Sequence, residues 1–127
     1  MAFERVCVLL DIDQLAERAF RAAAQLSSSG MDVVELVVLR PAAAGLGEAV
    51  SEADRAMCSA TEAWLVEQAA KLASFLDADV EIRVATVLGG VPELAEHVRE
   101  RRHDLLVVGQ DQSVLADLAL VSVLVIR

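Results

Sequence analysis

The sequence predicts an α/β domain in which a mostly parallel sheet carries helices on both faces. Three observations support that fold class. Apolar runs alternate with helical patterns along the 127 residues, in the order β-α-β-α-β-α-β-α-β. The first two runs, Val6 to Leu10 and Val33 to Leu39, are nearly unbroken by polar residues, as strands covered on both faces are. Hydrophobic residues make up 56% of the chain and aromatics only 3%, so the core must be built from Val, Leu and Ala. Alanine suits helices packed closely on a sheet, and valine suits strands.

Length and charge narrow the class further. Residues 1–127 suit one domain with a real core, burying roughly two-thirds of its unfolded surface. The apolar fraction argues against disorder. The net charge of −9 opposes phosphate backbones and anionic lipid, so neither nucleic acid nor membrane is an expected partner. No apolar run approaches the roughly 20 residues of a membrane span. Cys7 and Cys58 form no CxxC and no Cys/His cluster, which fits buried thiols in a reducing compartment. The opening MAFERVCVLLDID lacks the order of a signal peptide, and a cytoplasmic location is expected.

The elements follow in order. Val6 to Leu10 is the first strand, ending at Asp11-Ile12-Asp13. Gln14 to Ser27 is a helix with Leu15, Ala19, Ala22, Ala23 and Leu26 on one face, Asp13 as its N-cap and Gly30 as a left-handed cap. Val33 to Leu39 is the second strand, interrupted only by Glu35, and Arg40 to Gly47 is a loop. A long helix over Glu48 to Leu76 has an apolar stripe of Val50, Ala53, Met57, Ala60 and Trp64, continued by Leu65, Ala69, Leu72 and Leu76. Val80 to Leu88 alternates apolar and charged residues at its start, the mark of an edge strand or a wet face. Gly89-Gly90 ends it, and Pro92 opens a helix over Val91 to Arg102 with Val91, Leu94, Ala95 and Val98 buried. Its acidic start and basic end suit the helix dipole. Leu105 to Val108, ending in Gly109, is the fourth strand. Ser113 to Leu120 makes about two helical turns, and Val121 to Ile126 is the fifth strand.

At this point the chain resembles the universal stress protein family over nearly its whole length. VCVLLDIDQLAERAFRAA is similar to the family's opening strand and turn, with Asp11 at the Asp that faces adenosine. VLGGVPELAEHVRERRHDLLVVG is similar to the family's Gly-x-Pro helix and Asp-Leu-Ile-Val-x-Gly strand, through Gly89 or Gly90, Pro92, Asp104, Leu105 and Gly109. The resemblance implies a three-layer sandwich with strand order 3-2-1-4-5, like that of the adenine nucleotide alpha hydrolases, and a homodimer formed through the last strand. It also exposes a departure. In nucleotide-binding members that last glycine begins Gly-x2-Gly-x9-Gly-Ser/Thr, a cradle whose glycines let backbone N–H groups reach phosphate oxygens. Here Gly109 is followed by Gln110, Asp111, Gln112 and Ser113, ten residues short of that spacing.

The expected function is accordingly a stress-response binding or regulatory module that does not bind ATP, uses no cofactor, and acts as a cytoplasmic homodimer. The alternative is an ATP or AMP sensor, or a weak ATPase, with a rebuilt phosphate loop. The remnant nucleotide site would comprise Asp11, Ile12, Asp13, Gly89, Gly90, Gly109 and Ser113. Each has a plainer reading: Asp11 and Asp13 as helix caps, Gly89-Gly90 as a turn. Val121, Val123, Leu124, Val125 and Ile126 would leave a bare apolar edge, which a second copy would cover. His97 and His103, six apart, do not share a helix face at metal-ligand spacing and read as surface residues. No residue set supplies a nucleophile with a base, so neither catalysis nor a metal is expected.

Overall fold

The computed structural model describes residues 3–11, 16–27, 30–41, 52–109 and 122–126. Its elements are β1 (Arg5–Leu9), α1 (Glu17–Ser27), β2 (Val33–Arg40), α2 (Glu52–Ala73), β3 (Glu81–Leu88), α3 (Val91–Glu100), β4 (Leu105–Gly109) and β5 (Ser122–Ile126). The strands form one sheet in the order β3-β2-β1-β4-β5, and every pairing is parallel. Fold class and strand order are those expected. The helix expected over Ser113 to Leu120, the cap at Asp13 and most of the loop after Arg40 lie outside the described residues.

Alternation along the strands divides the core in two. Val6, Val8, Leu10, Val34, Leu36, Val38, Leu105 and Val107 face Phe20 and Ala23 of α1 and Leu65 and Leu72 of α2. Cys7, Leu9, Val37, Val87, Leu106 and Val108 face Leu94 and Val98 of α3. β1 and β2 are buried along nearly their whole length, whereas β3 is mostly half-buried, as its alternating start requires at the sheet's edge.

The helix faces depart from expectation in instructive ways. On α1 the buried residues are Phe20 and Ala23, and Phe20 meets Phe75 with ring centroids 6.1 Å apart. On α2 the buried face runs through Asp54, Thr61, Leu65, Gln68 and Leu72, while Ala60 is exposed. Alanine is small enough to sit on either face, so an alanine-rich helix does not announce its buried stripe. Val91 of α3 is exposed rather than buried.

Helix ends explain two backbone features. Gly30 has φ 103°, the left-handed cap expected after α1. α3 ends in a Schellman arrangement: Arg102 N–H donates to Arg99 O at 3.1 Å and His103 N–H to Val98 O at 3.1 Å. The left-handed residue there is Arg102, at φ 56°, where glycine is the usual choice.

The N-terminal edge of the sheet is tied across long sequence separations. The Asp104 carboxylate accepts from Glu4 N–H at 2.9 Å and Arg5 N–H at 3.1 Å, and Asp104 N–H donates to Arg5 O at 2.8 Å. Arg5 Nε donates to Arg101 O at 3.0 Å. Asp32 and Val33 N–H both donate to Glu4 O, and Glu81 N–H donates to Asp32 O at 2.9 Å. Asp104 of the recognised motif is thus a clamp on the start of β1, placed by the turn that closes α3. No helix among the described residues is long and apolar enough to cross a membrane.

Candidate functional site

Because all strands run one way, their C-terminal ends share one edge. The chain leaves β1 toward β2 and β3 on one side, then crosses over to β4 and β5 on the other. That reversal between β1 and β4 is where an open α/β sheet leaves a crevice for ligands. Asp11, half-buried, stands just beyond β1, and Gly109 ends β4. The register Val6↔Leu105, Cys7↔Leu106, Val8↔Val107 runs the two strands side by side up to this edge. Two of the residues expected at a nucleotide site are therefore brought together. Ile12, Asp13 and Ser113, expected there too, lie outside the described residues.

Gly89 and Gly90 end the neighbouring side of the same edge, where Gly89 N–H donates to Arg40 O at 2.9 Å. Gly89 has φ 128°, and a Cβ there would fall 2.5 Å from Glu93 Cγ and 2.6 Å from Glu93 Oε1. The Glu93 side chain thus folds back across Gly89. The pair forms the turn that leads into α3, and a carboxylate of that helix's own first turn lies beside Gly89. Gly90 is the N-cap and makes no side-chain capping bond. An acidic residue in this place suits the positive end of the helix.

β5 is the outer strand on its side, with Val123 half-buried and Leu124 39% exposed. Val125 and Ile126 continue the strand, and Val121 lies outside the described residues.

The structure adds a constellation that sequence spacing misjudged. His97 and His103 are not surface residues. Glu35, 2% exposed in the middle of β2, accepts from His97 Nε2 at 2.6 Å and His103 Nε2 at 3.2 Å, both at Oε1. The two rings stack with centroids 6.0 Å apart. Counting six residues along a helix failed because His103 is past its end; the left-handed turn at Arg102 swings it back onto the sheet. The signal that was available is Glu35 itself. A carboxylate in an otherwise apolar central strand must find donors.

The network sets the local electrostatics. Burial pushes the Glu35 carboxyl up, but the hydrogen bonds from His103 and His97, together with the charge of both rings, outweigh it and bring it down to about 2. Cys7 stands opposite Glu35 on β1. Burial first, and the Glu35 charge second, push its thiol well above the ordinary range, so it is a packed group rather than a nucleophile. His103 Nδ1 is buried without a partner. Among the described residues, no cluster of His, Cys, Asp or Glu has the arrangement of a metal site. Away from this edge, a groove of about 330 Å³ lies between α1 and α2, floored by Phe20 and Phe75 with Lys71 at its side. It holds none of the residues singled out from the sequence.

The sequence matches no protein-family model and no curated protein. Solved structures do match. A universal stress protein UspA from Lactobacillus plantarum superposes with TM-score 0.78 at 16% identity, over 100% of this chain and 99% of the other. A universal stress protein in complex with cAMP gives 0.75 at 20% identity, over 100% and 99%. A universal stress protein family member from Arabidopsis thaliana, with AMP bound, gives 0.58 at 17% identity, over 97% and 90%. The last two correct the expectation of a protein without nucleotide or cofactor. Proteins with a similar fold hold adenine nucleotides at 20% and 17% identity to this chain. The physical fault in that expectation is also clear. A glycine cradle serves a polyphosphate, so its loss says little about the base, the ribose and a single phosphate; the shortened loop itself, residues 110–113, lies outside the described residues. At these identities the likeness is one of architecture, and it spans the whole chain: the protein has the fold of the universal stress proteins.

Proposed function

We propose that this protein binds an adenine nucleotide at the edge where β1 and β4 end, and works as a nucleotide sensor in a stress response rather than as an enzyme. The observation that carries the reading is the position of Asp11. It stands at the topological reversal of a fold in which two similar structures hold AMP and cAMP. A carboxylate there can accept hydrogen bonds from ribose hydroxyls. The non-enzymatic part of the proposal rests on the lack, in the sequence, of a nucleophile with a base beside it.

Calorimetry with AMP tests the reading. Binding with a Kd of about 1–100 μM is expected, with a loss of about ten- to hundredfold in Asp11→Ala, because a hydrogen bond to a charged group contributes about 1.5–3 kcal/mol. Absence of both heat and thermal shift at saturating AMP would end it.

The same proposal includes a homodimer paired through β5, supported by the exposure of Leu124 on the outer strand. Light scattering should give a dimer that Leu124→Lys converts to monomer; a monomeric wild-type chain would refute the pairing. A cytoplasmic setting is part of the reading and is supported by the unpaired Cys7 and Cys58.

A further inference from the structure

We infer that the groove between α1 and α2 is a binding site for a small aromatic carboxylic acid, its ring lying on Phe20 and Phe75 and its carboxylate met by Gln68 and Lys71. The site shares no residue with the nucleotide proposal above and does not depend on it.

Helical spacing builds the groove. Gln68, Lys71 and Phe75 stand at i, i+3 and i+7 along α2 and the turn that follows it, so they share one side. Ala16 and Phe20 stand four apart at the start of α1, where Phe20 N–H donates to Ala16 O at 3.0 Å. Between them lies a space of about 330 Å³. Small-molecule clefts run from about 300 to 1,000 Å³ and pair apolar walls with a few polar groups.

The walls favour an aromatic occupant. Phe20 is buried, whereas Phe75, large and apolar, is 39% exposed. Their rings meet at 53° with centroids 6.1 Å apart. A third ring set against Phe75 covers its open face, and aromatic rings favour such offset or edge-to-face contacts at about 4.5–7 Å.

The polar groups favour an anion. Gln68 lines the groove and is 7% exposed, yet its amide has no hydrogen-bond partner among the described residues. A buried amide left in that state is costly, and a carboxylate oxygen accepting from Gln68 Nε2 relieves it with charge assistance. Lys71 lies at the exposed rim and makes no ion pair with a described residue. Glu17, which also lines the groove, is already paired with Arg21 at 2.6 Å, and the Ser74 hydroxyl donates to Lys71 O at 2.6 Å. The charge left over is positive. Two donors of different kinds, an amide and an ammonium, suit the two oxygens of one carboxylate.

Titration of the full chain with phenylacetate, followed by two-dimensional amide NMR, tests this. A Kd of about 1 mM is expected, with the largest shifts at the groove residues. Phenylacetamide, which lacks the charge, and hexanoate, which lacks the ring, should each bind about fivefold more weakly, the scale of one exposed ion pair or one aromatic contact. Lys71→Gln should remove the advantage of the acid over the amide and leave the amide unchanged; Lys71→Arg should keep it. Gln68→Met, similar in shape but without donors, should weaken acid and amide alike by about fivefold. Lys71 is exposed, so its variants should fold, and they decide the matter if Gln68→Met does not. Absence of shifts in the groove at about 10 mM phenylacetate overturns the site. Equal binding of acid and amide overturns the carboxylate, and equal binding of hexanoate overturns the ring. Groove signals that move with protein concentration before any acid is added place a second copy on this face and overturn the small-molecule site.

Discussion

At the N-terminal edge of the sheet, hydrogen bonds join Glu4, Arg5, Asp32, Glu81, Arg101 and Asp104, residues brought together from five segments of the chain. At the C-terminal edge Leu10 N–H is linked to Val37 O and Gly89 N–H to Arg40 O, and a buried Arg40 Nε is left without a partner. The first edge spends its polar groups on the fold. The second leaves a buried donor unused. Local stability varies within a domain, and ligand sites draw on its less constrained parts. The difference teaches that the same parallel sheet can be fastened at one end and remain receptive at the other.

Substitutions can break or sharpen that division, and the largest effect should come from between the two edges. Glu35→Ala strands two histidines in the core and should cost about 3–5 kcal/mol in urea denaturation. The pH dependence gives an independent check. Its folded value of about 2 lies below the ordinary 4.5, so its stabilisation is complete above pH 4.5 and is lost as pH falls toward 2. Wild type and Glu35→Gln should therefore converge in that window; a gap that stays constant would show that the carboxylate's charge is not what stabilises the site.

Asp104→Ala removes the acceptor of two backbone N–H groups at the fastened edge. A loss of about 2 kcal/mol is expected, with AMP affinity of the folded protein unchanged by calorimetry. A changed affinity would mean that the two edges are coupled. Arg102→Gly relieves a left-handed arginine and should stabilise by about 1 kcal/mol in thermal melts; destabilisation would assign the arginine side chain a role that its exposure hides.

Most of the fold was legible because continuous apolar runs in β1 and β2 and alternation in β3 report directly which faces are covered. The strand order came from resemblance and agrees with the half-buried outer position of β3. Helix faces were read less well, since α2 buries Asp54, Thr61 and Gln68 where small alanines offered an equally apolar path. At the candidate site the positions of Asp11, just beyond β1, and Gly109, the last residue of β4, were legible because sequence marks strand ends clearly. The Glu35–His97–His103 network and the fold-back of Glu93 were not. Each depends on a backbone turn in the left-handed region, at Arg102 and at Gly89, that redirects side chains in ways linear spacing does not encode.

The bonds from Glu4 and Arg5 to Asp104 also bear on how the chain acquires its structure. They join residues about a hundred positions apart, 100 for Glu4 and 99 for Arg5. β1 leaves the ribosome first yet sits in the interior of the sheet between β2 and β4. At about 5–20 residues per second, one side of that apolar strand waits roughly 5–20 seconds for its neighbour to be synthesised. Such non-local pairing makes folding slow and exposes unpaired strand to aggregation in the interval. The clamp at Asp104 therefore closes late, and nascent chains ending before β4 would be the ones most in need of a chaperone.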